Sequence, residues 1–145
     1  FLAASDAGLH AVEFAVHRHP VPRGDHWRDG AHPVLDATAR QLAEYFAGTR
    51  RSFDLPFAAS GTPFQREVWA ALTRIPYGTT ASYVELARMV DRPGASRAVG
   101  AANGRNPLSI VVPCHRVIGA DGTLTGYAGG LWRKEKLIAI ERGYA

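Results

Sequence analysis

Apolar and polar positions change period several times along the chain. In "HAVEFAV" (10–16), Val12, Phe14 and Val16 alternate with other residues, which predicts a half-buried strand. In "HPVLDATARQLAEYFAGTR", Leu35, Ala39, Leu42 and Phe46 recur at helical spacing, with Gly48 as the stop and "RSFDLPF" as an extended segment behind it. The first 60 residues read as a small α/β unit.

"PFAASGTP" (56–63) is a boundary of prolines, glycine and small residues. Beyond it Thr62, Pro63 and Gln65 form a capping box that starts a helix with Phe64, Val68 and Leu72 as its apolar stripe. "IPYG" ends that helix, and Ser82 with Glu85 caps another over "SYVELARMV". "DRPGAS" is a turn. "SRAVGAANG" is a further helix, ended by Asn103-Gly104 and barred from continuing by Asn106-Pro107. Two short helices about a Pro-Gly turn predict a helix-turn-helix. "SIVVP" and "TLTGY" are strand-like, and "LWRKEKLIAIERG" is a final amphipathic helix ending at Gly143. The expected class is therefore α/β (α+β): an amino-terminal α/β domain over 1–60, then a helical winged-helix domain over 61–145.

Charge sharpens this division. Residues 1–60 carry 6 Lys/Arg against 7 Asp/Glu, and 61–145 carry 11 against 6, so the halves are −1 and +5. The basic half suits an anionic partner such as nucleic acid. No run reaches the roughly 18 apolar residues of a membrane span, and "FLAASDAGL" lacks the basic flank of a signal peptide, so a cytoplasmic protein is expected.

The third helix of the basic half is unusually small-sided: Ala98, Gly100, Ala101 and Ala102 follow Arg97. Small residues permit close approach, either to another helix in the core or to a nucleic-acid groove.

Cys114 is the only cysteine and stands in "SIVVPCHRVIG" between Pro113 and His115. It has no partner for a disulfide and no companions for a cysteine-rich zinc site. His17 and His19 in "HRHP" read as exposed loop histidines, so no metal is expected. Cys114 is either an inert core residue or a nucleophile. As a nucleophile it needs a base, and His115 is adjacent; on a regular strand the two side chains would point to opposite faces, so contact requires a turn or a bridging water. Glu135 and Glu141 on the last helix are both candidates to orient the histidine.

The stretches "GTPFQREVWAALTRIPYG", "TASYVELA", "SRAVGAANGRNP", "IVVPCHRVIG" and "GTLTGYAGGLWRKEKLIAIE" together resemble the O6-alkylguanine-DNA alkyltransferases, also called methylated-DNA-protein-cysteine methyltransferases. The resemblance covers the second half and is weak in the first. It implies single-turnover, irreversible transfer of an alkyl group from O6 of guanine in double-stranded DNA to Cys114. The acting species would be a monomer able to cluster on DNA, and no cofactor would be needed.

It also implies roles. His115 would take the thiol proton through a water and Glu141 would orient His115. Asn106 would brace the turn before the active-site segment. Ser82 and Tyr83 would meet the DNA backbone, with Tyr83 able to protonate the departing guanine. Arg97 would fill the gap left by the flipped base, with Ala98, Gly100, Ala101 and Ala102 in the minor groove. Pro113, Val117, Tyr127, Ala128 and Ser109 would line the base pocket.

Three features depart from the family pattern. Ala128 stands where some members have serine, Ser109 where some have proline, and the strand expected at the amino terminus is not legible in "FLAASDAGL". The zinc-binding cysteines of some members are absent. Two other readings fit less well: a non-catalytic protein that binds alkylated bases, which Cys114 argues against, and a cysteine hydrolase, which would turn over without DNA.

Overall fold

The computed structural model describes residues 1–143, so the last two positions of the 61–145 segment lie outside the described residues. Strand β1 (Leu2–Ser5) pairs antiparallel with β2 (Gly8–Val12), with an irregularity between Ala3 and Ala4. The first of these was not legible in the sequence, because "LAAS" offers no large alternating residues. The second starts and stops earlier than "HAVEFAV" suggests. Past Val12 the chain leaves the sheet: Phe14 stays half-buried against Tyr127, while Val16 is 77% exposed.

Helix α1 (Pro33–Phe46) is rotated about one position from the expected stripe. Its buried face is Thr38, Gln41 and Tyr45, whereas Ala39 and Phe46 are exposed. Three polar-capable side chains can take the core face because each finds a partner. Thr38 Oγ1 donates to the Val34 carbonyl at 2.7 Å, and Gln41 exchanges two 2.9 Å bonds with the Asp54 backbone. Tyr45 reaches into the second half of the chain.

Helices α2 (Pro63–Leu72) and α3 (Tyr83–Met89) begin at the expected capping boxes, Thr62 with Gln65 and Ser82 with Glu85, both with their reciprocal bonds formed. Helix α4 (Ser96–Gly104) packs on α2 and α3, completing the helix-turn-helix. Gly61 admits the Trp69 ring, which a Cβ there would meet at 2.5 Å, and Trp69 Nε1 donates to the Ala102 carbonyl at 2.8 Å.

The two strand-like segments after α4 do not form a hairpin. "SIVVP" is a buried series of tight turns: the Val111 amide donates to the Ser109 carbonyl around Ile110, and the Cys114 amide donates to the Val112 carbonyl around Pro113. Ile110 has φ +72°, a left-handed conformation that costs a β-branched residue about 1–3 kcal/mol and is incompatible with a strand. "TLTGY" is loop, because the Thr125 and Gly126 carbonyls are taken by the Lys134 ammonium and Gly126 has φ +44°. The sheet of this half is two residues deep: β3 (Ala81–Ser82) parallel to β4 (Val117–Ile118). Helix α5 (Leu131–Glu141) closes the chain.

One continuous hydrophobic core joins both halves, with Leu9, Val12 and Tyr45 from the first meeting Leu72, Leu108, Val117 and Leu137 of the second. Backbone bonds reinforce the junction, Val12 amide to Pro107 carbonyl at 2.9 Å and Ser109 amide to Val12 carbonyl at 3.2 Å. Gly129 completes it, since a Cβ there would stand 2.4 Å from the Phe14 ring.

Candidate active site

The turn that adjacency of Cys114 and His115 requires is present. Cys114–Arg116 is a single 3₁₀ turn rather than strand, so the two side chains are not forced to opposite faces. Asn106 braces the approach to it: Nδ2 donates to the Val112 carbonyl at 2.8 Å and Oδ1 accepts from the Leu108 amide at 3.0 Å. The strained Ile110 turn is thereby held between an asparagine side chain and buried apolar neighbours.

His115 is fully buried, and its Nε2 lies 2.6 Å from Glu141 Oε2. Glu135, the other candidate, is exposed on α5, so the structure selects Glu141. Glu141 is the centre of a dense network. Oε2 also accepts from the Tyr45 hydroxyl at 2.7 Å and Arg116 Nη2 at 3.1 Å; Oε1 accepts from Arg116 Nε at 2.8 Å and the Gly78 amide at 3.2 Å. Burial alone would push this carboxyl up, but the His115 and Arg116 hydrogen bonds outweigh it and hold the group down at about 2.

An ionised carboxylate can only accept, so His115 Nε2 carries the proton and Nδ1 presents its lone pair. Burial keeps the ring neutral, pushing its pKa below the usual value despite Glu141. Nδ1 is buried and has no hydrogen-bond partner among the described residues.

Cys114 is 4% exposed. Burial pushes its thiol up, while the Asn106 side chain and the Lys134 charge pull the other way. At rest the pair is thus a thiol beside a neutral imidazole. Lys134, which sequence reading passed over as one of several basic residues on an amphipathic helix, is fully buried; its Nζ donates to the Thr125 carbonyl at 2.8 Å and more distantly to that of Gly126. Burial lowers it to about 8, with Cys114 acting in the opposite sense. The signal that could have found it is its place on α5, two turns before Glu141 and on the same face.

Tyr127 and Ser109 are buried beside this centre, and among the described residues neither hydroxyl makes a hydrogen bond. Pro113 and Val117 are buried on either side of the turn. Ala128 is half-buried and its carbonyl is already engaged by the Arg18 amide at 2.9 Å. Tyr127 and Ala128 also form part of the wall of a cleft of about 740 Å³ that runs along residues 126–133 and is bordered by Arg18 and Arg133.

On α4 the small residues divide. Arg97, Ala98 and Ala101 are exposed, and Gly100 is half-buried against the Tyr83 ring. Ala102 is 3% exposed and packs in the core under Trp69, so it cannot share a groove-facing surface with the others. Ser82 is half-buried and occupied as the α3 cap. The Tyr83 hydroxyl donates to the Thr125 carbonyl and accepts from Thr125 Oγ1, both at 3.2 Å.

His17 and His19 are half-buried rather than exposed, and the His17 ring stacks on Phe14 with centroids 6.3 Å apart. Among the described residues, no helix is long and apolar enough to cross a membrane.

Comparison with known proteins finds relatives for both halves of the chain. Residues 63–143 match the family model of the 6-O-methylguanine DNA methyltransferase DNA-binding domain, and residues 1–59, where the sequence resemblance was weak, match that of the ribonuclease-like domain of the same family. The chain is 50% identical over 140 residues to the methylated-DNA-protein-cysteine methyltransferase of Methanosarcina acetivorans, covering 97% of this chain and 89% of that one. With the protein of that name from Salmonella typhimurium it is 52% identical over 144 residues, covering 94% and 84%. Among solved structures, Mycobacterium tuberculosis OGT in complex with DNA superposes with a TM-score of 0.90 at 44% identity, covering 99% of this chain and 86% of that one. With both halves matched and the cysteine, histidine and glutamate assembled in one buried centre, the chain belongs to the methylated-DNA-protein-cysteine methyltransferase family.

Proposed function

We propose that this protein repairs DNA directly, moving an alkyl group from O6 of guanine in a duplex onto Cys114, once per molecule. The observation that carries the reading is the buried His115–Glu141 pair, its histidine next to Cys114 in one 3₁₀ turn, with the second imidazole nitrogen left without a hydrogen-bond partner among the described residues. The thiol proton passes to His115 Nδ1 through a water, Glu141 steadying the imidazolium that forms. The thiolate attacks the alkyl carbon; a sulfur–carbon bond forms and the carbon–O6 bond breaks with its electron pair leaving on guanine. A proton from the Tyr83 side makes the departing base neutral. The thioether product cannot be reversed by any other thiol in the chain.

An alkylated base in a stacked duplex cannot reach a cysteine that is 4% exposed, so the nucleotide is flipped, at a cost of a few kcal/mol. The exposed face of α4 offsets that cost: Ala98 and Ala101 let the helix approach the minor groove, and Arg97 occupies the gap in the stack. Ser109 and Tyr127, whose hydroxyls have no hydrogen-bond partner among the described residues, meet the polar edge of the base alongside Pro113, Val117 and the Ala128 amide. The protein acts as a monomer in the cytoplasm, and several copies can line one duplex.

Two consequences are measurable. Arg97→Ala weakens binding to a lesion duplex roughly tenfold and lowers the dependence of log K on log salt by about one charge, read by fluorescence anisotropy across a salt series. Lys134→Met slows transfer at pH 7 about tenfold, because the thiol loses a neighbouring cation that favours its ionised form. Since Lys134 itself loses its proton near pH 8, the gap between wild type and variant narrows above that pH, which single-turnover rates at pH 7 and pH 9 would show.

A further inference from the structure

We propose that the amino-terminal half supplies a positioning residue to the active site, Tyr45, whose phenol fixes the Glu141 carboxylate against His115. The inference rests on the assignment of His115 and Glu141 to proton transfer. Tyr45 sits on the last turn of α1, 96 residues from Glu141 in sequence, yet its hydroxyl donates at 2.7 Å to Oε2, the same oxygen that holds His115 Nε2. The side chain is completely buried, and its ring is fixed by Phe46, Phe53 and Tyr77 at centroid distances of 5.3, 5.7 and 6.2 Å.

This arrangement explains why α1 is turned from its apolar stripe. A phenol buried among aromatics would be costly without a partner, and the partner it takes is the ionised carboxylate of the centre. Burial and the Glu141 carboxylate push the Tyr45 phenol far up, so it is a hydrogen-bond donor at every working pH and never competes for the proton being moved. Among the described residues, the groups facing Glu141 are Tyr45 from α1, His115 and Arg116 from the 3₁₀ turn, and the Gly78 amide from the loop before β3. Lys134, on the same helix as Glu141, bears on His115 through its charge. Of these, Tyr45 alone comes from the first half of the chain.

Loss of the phenol changes the base in a definite direction. With one donor fewer, Glu141 becomes a stronger acceptor for His115 Nε2, which favours the imidazolium and raises the His115 pKa. The neutral base is then lost at a higher pH.

The test is Tyr45→Phe, which keeps the ring and removes only the hydroxyl, compared with wild type on a duplex carrying one O6-methylguanine. Expected are unchanged lesion affinity, a transfer rate about tenfold lower at pH 7, and an acid limb of the rate profile moved to higher pH. The His115 ring titration, followed by NMR well below the melting temperature, moves the same way and needs no active protein. A rate and acid limb equal to wild type, or an unmoved His115 titration, would overturn the proposal and leave Tyr45 a packing residue. Glu141→Gln serves as the control: full transfer by that variant would overturn the proton-transfer reading itself, whatever Tyr45→Phe does.

Discussion

Replacing Cys114 by alanine abolishes alkyl transfer completely while leaving lesion binding within about twofold of wild type. The effect is total because the cysteine is the acceptor and the chain holds no other thiol to take its place. Binding persists because Cys114 contributes almost no exposed surface, and the groups expected to hold DNA, Arg97, Ala98 and Ala101 on α4, lie on a different element. The cost to folding is modest, about 1 kcal/mol, as for losing one small buried atom without stranding a polar partner. Alkyl transfer scored by mass and lesion affinity scored by gel shift separate the two effects, and a variant that lost both equally would point to a misfolded site.

Glu141→Gln has the second largest effect, and it strikes stability and chemistry together. Among the described residues the carboxylate receives five hydrogen bonds, from Tyr45, His115, two nitrogens of Arg116 and the Gly78 amide. Neutralising it leaves the buried Arg116 charge uncompensated, a loss of about 3 kcal/mol. Transfer falls by about 10²- to 10⁴-fold, since an amide does not enforce the histidine tautomer with Nδ1 free. Chemical denaturation and single-turnover kinetics read the two losses separately.

The same carboxylate sets the response to acid. Its folded pKa, about 2, lies below the ordinary 4.5, so the stability it brings, about 3 kcal/mol, is complete above pH 4.5 and is lost as pH falls toward 2. His115 adds to the trend: its folded pKa is lowered too, so below about pH 6.5 the unfolded chain takes a proton that the folded one refuses, and stability declines further. Acid therefore unfolds wild type progressively from mildly acidic pH, and Glu141→Gln lacks the component below pH 4.5.

What could be read from sequence was whatever is encoded locally. Both capping boxes are short-range chemistry between residues three apart, and Thr62 and Ser82 start their helices where the pattern places them. Cys114 and His115 were legible as a pair because they are adjacent; Asn106 was legible by itself only as a helix stop before Pro107, and its bracing role came from the family resemblance. Elements decided by distant partners were not legible. The face of α1 depends on Glu141, almost a hundred residues away, and on the Asp54 backbone. The apolar run "SIVVP" looks like a strand, but Asn106 takes the Val112 carbonyl and Ile110 turns left-handed, so it becomes the bend that presents Cys114. Lys134 was invisible for the same reason, since its burial depends on carbonyls of a loop that sequence reads as extended. Ala102 shared its composition with its neighbours and differed only in the direction it faces.

The central claim is that Cys114 itself accepts the alkyl group, and intact-protein mass tests it most directly. Wild type and Cys114→Ser would each be incubated with excess duplex containing one O6-methylguanine, then weighed and mapped by peptide digestion. The account predicts a gain equal to one methylene in wild type alone, located on Cys114 and never exceeding one per chain. An unchanged mass in wild type with the lesion still bound, or a methyl group found on any other residue, would contradict it.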